Sequence, residues 1–290
     1  MSYPEFGDIP ALAAALDAAG YLPDEGVATA AYLAIRMRRP LLLEGDPGVG
    51  KTALAQALAD VVGAELVRLS CYEGIDASQA LYDWDFPRQL LHLRAAEDGG
   101  GDERSVYDRR FLIARPILRA LEVSPAVLLV DEIDRADDEF EAFLLEVLAD
   151  NAVTIPELGT IRPAEPPIVV LTSNRTRELH DALKRRCLYH WVSHPDLERE
   201  VEIIRRHEPE VADRLARQVA AGVAAMREAG LVKPPGIAEA IDWATALRLL
   251  GATELTAPAA RATLGALLKY REDQVTAERD VLPGLLARLG

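Results

Sequence analysis

The stretch Gly45-Asp46-Pro47-Gly48-Val49-Gly50-Lys51-Thr52 carries the pattern G-x-x-x-x-G-K-[ST], a spacing suited to holding phosphate. Its glycines let backbone N–H groups converge on phosphate oxygens with no Cβ in the way. A helix opening at the same point adds partial positive charge. Lys51 is placed to reach the β and γ phosphates, and the Thr52 hydroxyl to face Mg2+. The context agrees: Leu41-Leu42-Leu43 reads as a buried parallel strand, and Ala53 to Val62 as a helix of strong formers. The alternative, a glycine turn that merely caps a helix, does not need the whole pattern.

Three further groups could act on a bound phosphate. Val127-Leu128-Leu129-Val130 runs into Asp131 and Glu132, a buried strand that opens in two carboxylates. In open α/β sheets ligands sit at that strand edge. Asp131 is suited to hold Mg2+, through water, and Glu132 to polarise an attacking water. Ile168–Thr172 repeats the logic and leads through Ser173 to Asn174, which either positions that water or caps an Asx turn. Lys184-Arg185-Arg186 ends a short segment; it reads equally as a basic helix terminus or as an arginine finger acting on a neighbouring subunit.

These groups need a scaffold, and the chain alternates accordingly. Strand-like runs at Leu41–Glu44, Leu66–Ser70, Ala126–Val130, Ile168–Thr172 and Leu188–Val192 are mostly separated by helical segments, including 10–19 and 24–37 ahead of the glycine loop. That order predicts an α/β fold with a five-stranded parallel sheet between helices. From Pro195 the strand signal stops, and 196–207, 210–229, 237–250, 258–272 and 276–288 all read as helical. The expected domains are therefore 1–194, an α/β nucleotide-binding core, and 195–290, a small all-helical domain. Residues 95–105, with three glycines among charges, read as a loop.

Composition narrows the function. The 290 residues are half apolar, enough for two cores, and carry 32 Lys and Arg against 47 Asp and Glu, a net charge of −15. Tracking along nucleic acid and binding to anionic membrane are both disfavoured by that acidity. The two cysteines, Cys71 and Cys187, lie far apart in apolar runs and read as buried thiols. The first residues show no signal-peptide pattern and no segment has membrane-spanning character, so a cytoplasmic protein is expected. A GTPase would want a guanine-reading N-K-x-D motif, which is absent. A small-molecule kinase would not need Asn174 with Arg185 and Arg186, nor a long helical tail.

The order of these motifs, with Asp131-Glu132-Ile133-Asp134 as the acidic strand end, resembles the AAA+ ATPases. The finer text is similar to the MoxR branch, over about Gly20 to Leu250. It rests on Gly20-Tyr21-Leu22-Pro23-Asp24, Arg39-Pro40-Leu41-Leu42-Leu43-Glu44-Gly45, Cys71-Tyr72-Glu73-Gly74-Ile75-Asp76, Ala80-Leu81-Tyr82-Asp83-Trp84 and His194-Pro195-Asp196-Leu197-Glu198-Arg199-Glu200. One subgroup of that branch is associated with maturation of molybdenum-containing carbon monoxide dehydrogenases. The resemblance implies an ATPase with ATP and Mg2+ as cofactors, Thr52 and Asp131 at the metal, and residues 45–53 (Gly45 through Ala53) around the phosphates. It implies Glu132 as base, Asn174 as sensor 1 and Arg186, or Arg185, as the trans-acting finger. Tyr21 and Leu22 lie where the family packs adenine. It further implies a ring, a hexamer, working with a von Willebrand A domain protein on a metalloenzyme client. Ala152–Arg162 matches the family's β-hairpin before sensor 1, and Tyr72–Trp84 its pore-facing loop and insertion. One departure stands out: the helix opening at Pro235-Gly236-Ile237-Ala238-Glu239-Ala240 lacks the sensor 2 arginine, and Arg248 comes at least a turn too late to replace it.

Overall fold

The computed structural model describes residues 3–4, 6–97 and 106–289. They form two compact units, residues 1–45 with 51–191, and residues 46–50 with 192–290.

The first unit begins with α1 (Ile9–Ala18) and α2 (Glu25–Met37), each opened by an aspartate whose side chain accepts a backbone N–H: Asp8 from Ala11 at 2.8 Å and Asp24 from Val27 at 2.6 Å. Such caps satisfy the donors that a first helical turn leaves over. There follow β1 (Leu41–Glu44), α3 (Lys51–Val62), β2 (Glu65–Ser70), α4 (Ala77–Ala80), β3 (Tyr82–Trp84), α5 (Phe86–Glu97), β4 (Leu112–Ala114), α6 (Pro116–Glu122) and β5 (Ala126–Asp131). The unit closes with α7 (Asp138–Asp150), β6 (Val153–Ile155), β7 (Gly159–Ile161), β8 (Ile168–Ser173), α8 (Asp181–Arg186) and β9 (Leu188–Trp191).

Strands β1, β2, β5, β8 and β9 make a five-stranded sheet in the order β2-β5-β8-β1-β9, with every pairing parallel. The three inner strands are buried along their whole length, which is why they read as unbroken apolar runs. The edge strand β9 alternates half-buried and exposed residues. Helix α3 packs on β2, β5 and β8, and α6 on β2 and β5. The expected α/β sheet is present, and the 152–162 segment is indeed a hairpin, β6 against β7. An antiparallel ladder of β3 with β4, Tyr82↔Ala114 to Trp84↔Leu112, was not anticipated. The expected loop at 95–105 begins later than the sequence suggests, since α5 runs to Glu97; the remainder of it, 98–105, lies outside the described residues.

In the second unit the helices are α9 (Leu197–His207), α10 (Asp213–Arg227), α11 (Ile237–Leu249), α12 (Ala257–Leu267), α13 (Arg271–Thr276) and α14 (Leu282–Leu289). Trp243 is fully buried at its centre, with its indole N–H on Thr263 Oγ1 at 2.8 Å and its ring against Gly222. A Cβ at Gly222 would come within 2.9 Å of that ring. The continuous helix expected over 258–272 is broken: α12 ends at Leu267 and α13 starts at Arg271. The Leu268 carbonyl accepts the Gln274 side-chain amide at 2.8 Å, a bond that a continued helix would replace. The last helix expected, 276–288, is joined to α13 through a π turn over Ala277–Val281.

Candidate nucleotide site

The inner strands β5, β8 and β1 stand side by side, so their C-terminal ends bring Asp131, Thr172 with the following Ser173 and Asn174, and Glu44 into one row. Lys51 opens α3, is buried, and donates from Nζ to the Gly45 carbonyl at 2.7 Å. The next residue, Thr52, donates its hydroxyl to Asp131 Oδ1 at 3.1 Å. The same oxygen accepts the Thr172 hydroxyl at 2.6 Å, while Asp131 Oδ2 is ion-paired with Arg68.

Immediately after Asp131 the backbone turns into the left-handed region at Glu132, φ 56°. A non-glycine residue held there is strained. Three bonds hold it: Glu132 N–H donates to Thr172 Oγ1 at 2.9 Å, and the Glu132 carboxylate accepts from Asn174 Nδ2 at 3.3 Å and from Arg135 at 3.1 Å. The turn lifts the Glu132 side chain out of the sheet; it is 41 % exposed against 6 % for Asp131. Asn174 is held from the other side by Asp134, which is buried and accepts the N–H of Asn174 at 3.2 Å, and the N–H and hydroxyl of Thr176 at 2.8 Å each.

Buried behind this row, the Cys71 thiol is pushed up to about 12 by burial, then by the charges of Asp131, Asp134 and Glu132. Cys187 reaches the same value through burial. Both are free thiols.

The basic run forms the end of α8. Its carbonyls at Arg185, Arg186 and Cys187 are gathered by the Arg39 guanidinium at 2.7, 3.1 and 3.1 Å. The side chains of Arg185 and Arg186 are exposed, and Arg186 reaches the Leu145 carbonyl on α7 at 2.8 Å. Tyr21 and Leu22 lie half-buried in the turn between α1 and α2, and α1 packs on α3.

In the second unit, the tip of the glycine loop rests on the start of α11. Gly48, at φ 81°, accepts Ile237 N–H at 2.8 Å, and a Cβ on Gly236 would fall 2.7 Å from Gly48 Cα. Only glycine allows backbones this close. Asp46 pairs with His194 at 3.6 Å when that histidine is protonated. Arg248 is held by Glu208 and Glu210 at 3.0 and 2.9 Å.

Sequence reading alone passed over Arg68, Thr172 and Asp134. Arg68 had a detectable signal: in β2 it stands exposed between buried Val67 and Leu69, and the register sets Ser70 beside Asp131.

Residues 40–187 match the model of the AAA domain, dynein-related subfamily. The chain belongs to that family. This AAA domain protein is similar to MoxR of Methylorubrum extorquens, 31% identical over 122 residues, covering 42% of this chain and 30% of that one. It is similar to the chaperone MoxR1 of Mycobacterium tuberculosis, 30% identical over 176 residues, 57% of this chain and 39% of that one. A midasin of Giardia intestinalis matches at 54% identity over 48 residues, 17% of this chain and 1% of that protein. The chain thus spans well under half the length of these relatives. Among solved structures, the Thermotoga maritima RuvB Holliday junction branch migration motor superposes with a TM-score of 0.50 at 19% identity, covering 91% of this chain and 79% of that one. At that identity the likeness speaks for the AAA+ fold alone.

Proposed function

We propose that this chain hydrolyses ATP and uses the energy as a MoxR-type remodelling chaperone. The observation that carries the ATPase reading is the hydrogen-bonded series Thr52–Asp131–Thr172–Glu132–Asn174, which joins a phosphate-binding helix, a buried acid and a half-exposed acid.

The residues fit Mg2+ and ATP. Thr52 and Asp131 offer only hard oxygen donors, the class Mg2+ prefers. Because the Thr52 hydrogen is directed at Asp131 Oδ1, its lone pairs remain for a cation. When bound, Mg2+ would neutralise charge on the β and γ phosphates. The Lys51 ammonium would pair with phosphate oxygens, residues 45–50 would supply backbone donors, and Tyr21 and Leu22 would flank the adenine. Glu132 would draw the proton of an attacking water, with Asn174 orienting both the water and the Glu132 carboxylate. Arg186, or Arg185 beside it, would stabilise the transferring phosphoryl group on a neighbouring subunit, which requires a ring; a hexamer is the expected one.

The MoxR likeness supports a protein client, a von Willebrand A domain adaptor and a cytoplasmic setting. No described helix is long and apolar enough to cross a membrane. The finer sequence resemblance supports a molybdenum hydroxylase of the carbon monoxide dehydrogenase type as client, opened for cofactor insertion.

Two measurements test this reading. Purified full-length chain should hydrolyse ATP in the presence of Mg2+, and Glu132→Gln should keep nucleotide binding while losing most turnover; wild-type turnover in that variant would refute the base assignment. In cells carrying Glu132→Gln, the client should accumulate folded but short of its metal centre. Fully loaded client would refute the maturation role.

A further inference from the structure

We propose that Arg68 is a resident counter-ion for Asp131, one that Mg2+ must displace, and that it thereby sets the Mg2+ concentration at which the site loads. This deepens the ATPase reading above and rests on it.

The carboxylate of Asp131 is 6 % exposed, and a buried carboxylate needs a compensating charge or donors on both oxygens. Two hydroxyls, of Thr52 and Thr172, satisfy Oδ1. Arg68 supplies a full positive charge, on Oδ2. The carboxylate is therefore oriented, and paired with a cation, before any metal arrives. A divalent cation bound beside Thr52 would share that one carboxylate with the guanidinium, and the two cations repel.

Arg68 has somewhere to go. It stands on β2, the outermost strand on its side of the sheet, and its side chain is 55 % exposed. The guanidinium can turn into water on its long stem with little loss, whereas Asp131 and Thr52 are fixed at a strand end and a helix start. Displacement should therefore run in one direction, with Arg68 leaving and the metal staying. By linkage, any interaction present only in the metal-free form raises the metal concentration needed to fill the site. Arg68 also differs from two other arginines near the row, since Arg135 pairs with Glu132 and Arg175 with Glu178.

The test is a Mg2+ titration of the full chain at a fixed concentration of a fluorescent, non-hydrolysable ATP analogue. Wild type is compared with Arg68→Gln, Arg68→Met and Arg68→Lys, each alone and combined with Asp131→Asn, and circular dichroism reports folding. Removing the charge should lower the half-saturating Mg2+ about two- to fivefold, the worth of a half-exposed ion pair. Arg68→Lys should track wild type, and Asp131→Asn should abolish any difference among the residues at 68. An unchanged or higher Mg2+ requirement in folded Arg68→Gln or Arg68→Met would overturn the proposal. So would weaker binding of the analogue by these variants in EDTA, which would make Arg68 a phosphate contact. Those outcomes leave the ATPase reading intact. A wild-type chain that takes up no analogue with Mg2+ would remove both.

Discussion

Thr172 and Asp131 share the shortest hydroxyl–carboxylate bond of the strand-end row, 2.6 Å, and the same Thr172 oxygen accepts the N–H of Glu132 at 2.9 Å. One side chain on β8 therefore fixes both acids at the end of β5, Asp131 through its carboxylate and Glu132, the next residue, through its backbone. Thr172→Val keeps the shape and loses the hydroxyl. It should cost about 1–3 kcal/mol of stability, since it leaves the Glu132 N–H unpaired and takes from Asp131 Oδ1 one of its two hydroxyl donors. Turnover should fall with it, and Thr172→Ser should restore much of both. Denaturant unfolding beside an ATPase assay checks this; equal stability and rate in Thr172→Val would show that the bond is idle.

Asp134 serves Asn174 as Thr172 serves Glu132. It is buried and accepts from two N–H groups and the Thr176 hydroxyl. Asp134→Ala should destabilise the chain by about 3 kcal/mol, because charge-assisted bonds are lost and their donors remain buried. In the folded fraction kcat should fall more than nucleotide affinity, because the displaced group is the amide that faces Glu132. An affinity loss as large as the kcat loss would mean that the damage reaches the phosphate loop itself.

Arg186 and Glu132 belong, on the proposed mechanism, to opposite sides of a subunit junction. Arg186→Ala should lower turnover by about 10³-fold or more while nucleotide binding persists. Mixed with Glu132→Gln, itself inactive, it should recover part of the rate at junctions that pair an intact base with an intact arginine. Arg185→Ala run in parallel tells which of the two exposed guanidiniums acts. A dilute monomer with full activity would exclude the trans arrangement.

The thiols give a pH prediction. Cys71 and Cys187 rise from 9.0 to about 12 in the fold, so the folded state favours the protonated thiol. Their contribution to stability is whole below about pH 9 and is lost as pH climbs toward 12. At pH 8 the native chain should react with a maleimide or disulfide reagent far more slowly than the unfolded chain, because the thiolate is the nucleophile and both sulfurs are buried. Native labelling at the unfolded rate would contradict the burial of both.

Much of the scaffold was legible because the inner strands are buried on both faces. Leu41–Glu44 was read to the residue, and Ala126–Val130 and Ile168–Thr172 each fell one residue short, at the polar end. The strand-end groups were legible for the same reason: an apolar run that stops at Asp131 or leads to Asn174 marks a sheet edge. What stayed hidden depends on partners distant in sequence. The β3–β4 ladder pairs three-residue strands nearly thirty residues apart, and neither carries a periodic signal of its own. Arg68 becomes meaningful only through its register with β5. The break after Leu267 interrupts residues of good helix propensity, so tertiary bonds such as Gln274 to the Leu268 carbonyl decide it.

The contact of Gly48 with Gly236 and Ile237 bears on how the protein can be cut. By spatial grouping the helical unit is not one continuous segment of chain: it includes the five-residue strap 46–50, threaded from far upstream. A chain ended after residue 191 would keep the strap but strip it of the amide that meets Gly48. The complementary fragment would carry α11 with nothing for the Gly236 backbone to lie against. Dissecting the molecule into halves for separate study would therefore alter the phosphate loop in one piece and the α11 terminus in the other, even if each piece folded.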